Sequence, residues 1–218
     1  MDLSRQQLKL EKQFLKIWRR SAIPVLQKEN VADCALLLEQ AQAYLPNIAA
    51  DLPDLSATPI SLRPALVGSL NMIVLYKVLS KHGVPIEEAG RICTAIVEKE
   101  VDRTPVFVNR LMSWFMFTKF AFNQAKKEAA RLKDAPANQF RMTIEGAPGL
   151  LRMNITQCAI CWLTQRHDVS EFTPYICEVD RMLSEKLGWG LKRTQTIASG
   201  ANHCDFVFVK GADTDVTM

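Results

Sequence analysis

No stretch of this sequence is long and apolar enough to span a bilayer, no segment repeats, and no tract is of low complexity. The most apolar run, residues 111–122, carries Ser113, Thr118 and Lys119 and falls short of the roughly 20 residues that a membrane helix needs. The opening residues, Met1-Asp-Leu-Ser-Arg, lack the charged-then-apolar pattern and the small-residue cleavage site of a secretory signal. Strong charge is missing too: 27 Lys and Arg against 23 Asp and Glu leave +4 over 218 residues. Basic residues gather only at 16–20 and 126–133, where they alternate with apolar helix positions as solvated faces do. Neither nucleic acid nor membrane is therefore expected as a partner. These absences point to a cytoplasmic protein, in which the six cysteines are reduced thiols and not a disulfide framework.

What is present suits a packed core: 48% of the residues are hydrophobic. Ser4 to Gln7 reads as a capping box. Leu10, Phe14, Ile17 and Trp18 follow at helical spacing to about Arg20, and Ile23-Pro24 permits a break or kink. A second helix covers about 31–50, with Cys34, Leu37, Leu38 and Ala41 as its stripe. Residues 51–64, with Pro53, Pro59 and Pro64, form an irregular connector. Pro64 opens an apolar helix ending near His82-Gly83, and Pro85 opens another with Ala89, Ile92, Cys93, Ile96 and Val97 inward. A helix from Thr104-Pro105 then runs towards Leu132. Its middle, Leu111 to Phe117, is apolar nearly all round, which predicts core residues or a subunit contact.

The period changes at Asp134-Ala-Pro136. Residues 139–145 and 151–156 alternate as half-buried strands, and 158–163 form a short helix. Thr173-Pro174 launches a helix that stops at Gly188. Residues 191–197 and 204–209 make two last strands joined by the 199–202 turn, and the tail after Gly211 is expected to fray. The fold class is α+β: a helical region, 1–134, followed by a small antiparallel sheet with two packed helices, 135–218, together one compact unit.

Cys34 and Cys93 lie in helical apolar stripes and are expected in the core. The other four cysteines, Cys158, Cys161, Cys177 and Cys204, all fall in the last third. Four thiols are the number a structural zinc takes. A zinc ribbon, however, uses two tight pairs on turns, whereas the single pair here runs into Trp162 and Leu163 on a helix. A redox Cys-x-x-Cys needs a different strand–helix setting. No metal and no cofactor are expected. Cys177 sits near the start of its helix, where the backbone dipole favours a thiolate. Asp180 lies on the same face for proton transfer, and Arg181 one turn away is suited to favour the thiolate or pair with a carboxylate. In His203-Cys204-Asp205, strand alternation sends Cys204 to one face and its neighbours to the other. A plain core for Cys204, Phe206 and Phe208, with His203 and Asp205 solvated, satisfies the spacing equally well.

The last third thus orders its features as a strand into Thr156-Gln-Cys158, a short helix and a polar loop, and then Cys177-x-x-Asp180. After these come Arg193-Thr-Gln-Thr-Ile197 and Gly200-x-x-x-Cys204-Asp-Phe-x-Phe208. In this order the chain resembles the L-2-amino-thiazoline-4-carboxylic acid hydrolase family; the helical half carries no matching motif. The resemblance implies a cytoplasmic hydrolase that opens a small cyclic amidine of thiazoline type, breaking a non-peptide C–N or C–S bond. Water adds at the ring carbon between nitrogen and sulfur, and a carbamoyl-cysteine results. On this chain it implies that Cys177 or Cys204 attacks or orders water, that Asp180 handles the proton, and that His203 or Arg181 steadies the substrate carboxylate. Asn202, Asp205 and Cys158 complete the candidate substrate-binding set. Two other readings stand beside it. One is a non-catalytic small-molecule-binding or sensor domain whose cysteines line a pocket or hold zinc. The other is a scaffold that forms a homo-oligomer through the 111–122 helix.

Overall fold

The computed structural model describes Lys9, Leu10, Lys12 and residues 18–217. The expected capping box at Ser4 to Gln7 and the positions of Phe14 and Ile17 lie outside these residues. Eight α-helices and a five-stranded sheet among the described residues make an α+β protein. None of these helices is long and apolar enough to cross a membrane. The chain gathers into two compact units, residues 1–103 with 163–176, and residues 104–162 with 177–218.

The first unit is helical. α1 (Arg19–Lys28) runs through Pro24 instead of breaking there. Ser21, Ala22, Val25 and Leu26, on both sides of the proline, are buried, and this packing outweighs one missing backbone bond. α2 (Cys34–Ala49) and α4 (Ile86–Asp102) both pack on α3 (Arg63–Lys81), in which every residue from Ser69 to Tyr76 is buried. Cys93 is in the core as expected. Cys34, the first residue of α2, is only half-buried and donates its thiol to the Val31 carbonyl at 3.0 Å. The Tyr76 ring stacks on Phe172 with centroids 4.1 Å apart, and its hydroxyl donates to Glu171 at 2.8 Å.

The second unit carries the sheet. Where one helix was expected from 104 towards 132 there are two, α5 (Val106–Met116) and α6 (Lys119–Arg131). Thr118 makes the break: its backbone is extended and its Oγ1 accepts the Ala121 N–H at 3.2 Å, an N-cap inside an apolar run. The apolar side chains expected in the core here point outward. Val106, Phe107, Leu111, Met112, Trp114, Phe115 and Phe120 are between 48% and 72% exposed.

β1 (Arg141–Ala147) and β2 (Leu150–Gln157) form an antiparallel hairpin, and α7 (Ala159–Arg166) starts two residues beyond β2. α8 (Thr173–Leu187) leads to β3 (Leu191–Arg193), β4 (Cys204–Val209) and β5 (Asp215–Val216). The order is β1-β2-β4-β3-β5, antiparallel except for the β3–β5 pair, which is parallel. The sheet is therefore mixed, and the tail is its edge. Thr217 N–H donates to the Arg193 carbonyl at 2.9 Å, and the Thr214 and Ser184 hydroxyls lie 2.7 Å apart. Met142, Ile144, Met153, Ile155, Cys204, Phe206 and Phe208 fill one buried face by strict alternation.

Two glycines let α8 turn into β3. Gly188 (φ 66) and Gly190 (φ 58) are both left-handed, but only Gly190 is crowded: a Cβ there would lie 2.1 Å from the Val209 carbonyl oxygen. Gly188→Ala is expected to cost about 1–2 kcal/mol for its backbone alone. Gly190→Ala should cost clearly more, because β4 must also move. Thermal unfolding of the two variants checks this; equal losses would show that the close approach has no consequence.

Candidate active site

Every residue of this site belongs to the second unit. Cys158 is the residue between the end of β2 and the start of α7. Its carbonyl accepts the Trp162 N–H at 3.0 Å, the first bond of the helix, so Cys158 is the N-cap. An N-cap side chain faces the free backbone donors of the first turn. Here the sulfur accepts the Cys161 thiol and the backbone N–H groups of Cys161 and Ile160. The Cys161 thiol bond comes first in lowering the Cys158 pKa, with the two amides adding to it, and together they prevail over burial. Cys161 shifts the opposite way, first because it gives its hydrogen to Cys158 and then because it is buried. The shared hydrogen thus moves the two thiols in opposite directions, Cys158 down and Cys161 up.

Cys177 and Asp180 share a face of α8, as their spacing implies. Cys177 is the fifth residue of that helix, beyond the free amides of its first turn. Burial, and then the charge of Asp180, raise its thiol well above the ordinary range. Burial likewise lifts Asp180 to about 6, against the opposing pull of Arg193. Arg193 closes β3 on its buried side, and its Nη1 donates to Asp180 Oδ2 at 2.9 Å and to the Cys177 carbonyl at 3.0 Å. Its guanidinium stands 5.6 Å from the centre of the Phe206 ring, and its buried Nε has no hydrogen-bond partner among the described residues. The two members of the pair differ in access: the Arg193 side chain is 1% exposed, that of Asp180 32%. The acid, not the guanidinium, is what a ligand can reach.

Cys204 lies on β4 opposite Ile155, and its sulfur accepts the Ile197 N–H at 3.2 Å. Burial raises its thiol to about 11. Cys158, Cys161, Cys177 and Cys204 sense one another's charge, and Asp180 acts on Cys158, Cys177 and Cys204. Three of these thiols, Cys158, Cys177 and Cys204, thus lie within the electrostatic reach of one carboxylate. No group of three or more His, Cys, Asp and Glu side chains among the described residues is arranged to hold a metal ion.

The other expected residues are elsewhere. Asp205 faces away from Cys204, and its carboxylate accepts the Thr194 and Gln195 N–H groups at 2.9 Å each and the Thr194 hydroxyl. Burial would raise its pKa, but these bonds hold the carboxyl below the usual range. His203 meets the Gln195 side-chain amide at 2.9 Å and Asn202 Oδ1 at 2.6 Å on the same loop. Arg181 is on the exposed face of α8, paired with Glu178 and Glu185. Sequence reasoning passed over Arg193 and the Cys161–Cys158 bond. The signals were there: Leu-Lys-Arg alternates with arginine on the inward side, and a strand running directly into Cys-x-x-Cys puts the first cysteine at a helix cap. A surface recess of about 240 Å³ lined by Glu29, Asn30, Leu37, His82 and Glu88 belongs to the first unit and contains none of these groups.

Fold and site together define an α+β protein in which a helix-capping cysteine with a lowered pKa feels the charge of a carboxyl group whose pKa is raised. The family model of L-2-amino-thiazoline-4-carboxylic acid hydrolase matches residues 67–208, well over half of the chain, and the protein belongs to that family. No curated protein and no solved structure matches it.

The raised Asp180 pKa has a consequence for stability. The folded chain holds this proton up to about pH 6, whereas an ordinary aspartate releases it near 3.8. The stability from this group is therefore full below about pH 4 and is lost as pH rises through 6. Wild type should lose stability relative to Asp180→Asn between those pH values, read as urea midpoints. Parallel pH profiles would mean that the carboxyl titrates normally.

Proposed function

We propose that this chain is a hydrolase that opens a small cyclic amidine of the thiazoline type, with Cys158 as the attacking thiolate and Asp180 as the proton carrier. The observation that carries the assignment is the N-cap position of Cys158, whose sulfur takes two backbone amides and the Cys161 thiol. A helix N-terminus favours a thiolate for the reason it favours any anion. The family's name supports the hydrolase and the thiazoline ring.

The Cys158 sulfur adds to the ring carbon that lies between nitrogen and sulfur. Asp180, which holds a proton to about pH 6, gives it to the ring nitrogen, so the tetrahedral adduct can expel one ring atom and open the C–N or C–S bond. The Asp180 carboxylate then takes a proton from water as its oxygen adds to the same carbon; collapse of this adduct expels the Cys158 thiolate, passes the hydroxyl proton to the ring atom already released, and leaves a carbamoyl group on the opened product. Arg193 does not touch the substrate. It holds Asp180 in place and returns the carboxylate to its starting position after proton transfer. Cys177 and Cys204, kept neutral, line the pocket without adding charge next to the thiolate. Asn202, on the turn that leads into Cys204, supplies its side-chain N–H to the substrate carboxylate, and His203 holds Asn202 in place through its Oδ1. Asp205 positions that turn, and Arg181 stays with its glutamates.

Two measurements test this. Incubation with L-2-amino-thiazoline-4-carboxylate should give a product one water heavier, followed by mass spectrometry. Cys158→Ala should abolish it, while Cys177→Ala and Cys204→Ala should retain activity within about tenfold of wild type. Turnover that survives in Cys158→Ala sinks the nucleophile assignment. No turnover by wild type removes the substrate and leaves a thiol-lined binding domain as the better account. Second, Asp180→Asn should lower kcat by about 10²–10⁴-fold, the usual range for a lost general acid. With Asp180 as the acid, wild-type kcat/KM should decline as pH rises past about 6; a rate that climbs through that range would make Asp180 a base instead.

A further inference from the structure

α5 is amphipathic the wrong way round for a helix that covers a core. Its small polar residue, Ser113, is buried and donates to the Leu187 carbonyl. Phe107, Leu111, Met112, Trp114 and Phe115 face outward, and Phe120 extends the same apolar surface into the first turn of α6. Phe107, Leu111 and Trp114 recur at helical spacing, so they form one stripe and not scattered exposures.

Size and composition indicate what covers this surface. At their observed exposures, Phe107, Leu111, Trp114, Phe115 and Phe120 offer roughly 650 Å², above the 300–600 Å² of the largest patch on an ordinary monomer and approaching the about 800 Å² per partner of a stable protein interface. Aromatic residues, methionine and a single arginine, Arg110, with no acidic residue between 106 and 116, match the composition of interface centres. A helix that lies in a lipid surface carries several Lys and Arg on its polar side. α5 has one charge in eleven residues and Lys119 opens α6, while the cations Lys126, Lys127 and Arg131 come two or more turns later.

We propose that α5 and the first turn of α6 form a two-fold interface with a second copy of this chain. A self-complementary patch of this kind closes as a dimer and leaves no free apolar end.

Sedimentation velocity of the full chain at micromolar concentration tests this. The expected mass is twice 24.6 kDa. The double variant Phe107→Glu with Trp114→Glu should sediment at the single-chain mass, its association weakened at least a hundredfold, with an unchanged far-UV circular dichroism spectrum. If that variant does not fold, Trp114→Ala, which only truncates, should still weaken self-association at least tenfold. A wild type that stays at the single-chain mass overturns the proposal, as does a dimer that persists in the folded variants. A single-chain wild type that co-sediments with vesicles of phosphatidylglycerol and phosphatidylcholine overturns it in favour of a lipid surface.

Discussion

A guanidinium that is 1% exposed must find its counter-charge inside the protein, and in this chain that requirement sets the geometry of the site. Arg193 reaches both Asp180 and the Cys177 carbonyl, so the end of β3 is tied to one face of α8. The residues that follow cannot wander, because Asp205 takes the N–H groups of Thr194 and Gln195. The turn that results delivers the Ile197 N–H to the Cys204 sulfur and enters β4 in register with β2. Removing one partner of a buried ion pair costs on the order of 3–5 kcal/mol, while the intact pair contributes little net stability. The pair is best understood as a positioning device. It is also why Asp180 sits at about 6 and not higher: burial pushes the carboxyl up, and the guanidinium pulls it part of the way back.

The same crowding decides which sulfur carries charge. Cys158, Cys177 and Cys204 each feel the charge of Asp180, and neighbouring acids of this kind do not all ionise together, since each charge raises the pKa of the others. The choice falls to the sulfur with the most donors. Cys158 has the amides of a helix start and a neighbouring thiol. Cys204 has one amide. Cys177 has only the opposing charge of Asp180, with Arg193 as a partial relief. Local backbone geometry, more than the kind of residue, ranks the cysteines.

Much of this was legible. The change of period near Asp134 located the start of the sheet, and Thr173-Pro174 and Gly188 bounded α8 because capping chemistry is local. The failures were those of local reasoning. Pro24 permits a break or kink, yet burial on both sides of it carries α1 through. Thr118 reads as a polar interruption in a long helix, yet it caps a new one. The tail after Gly211 has no strand pattern, and it pairs because β3 presents a free edge beside it.

What the sequence by itself determined is the set of elements and the chemistry available: an α+β order, a Cys-x-x-Cys after a strand, and Cys177 and Asp180 on one helical face. These follow from periods and caps, which depend on neighbours a few residues apart. Only the tertiary structure decided that Arg193 is the buried partner of Asp180 and that the apolar side of α5 faces out. Each of these depends on which groups are desolvated together, and desolvation is a property of segments that are distant in the chain and adjacent in space.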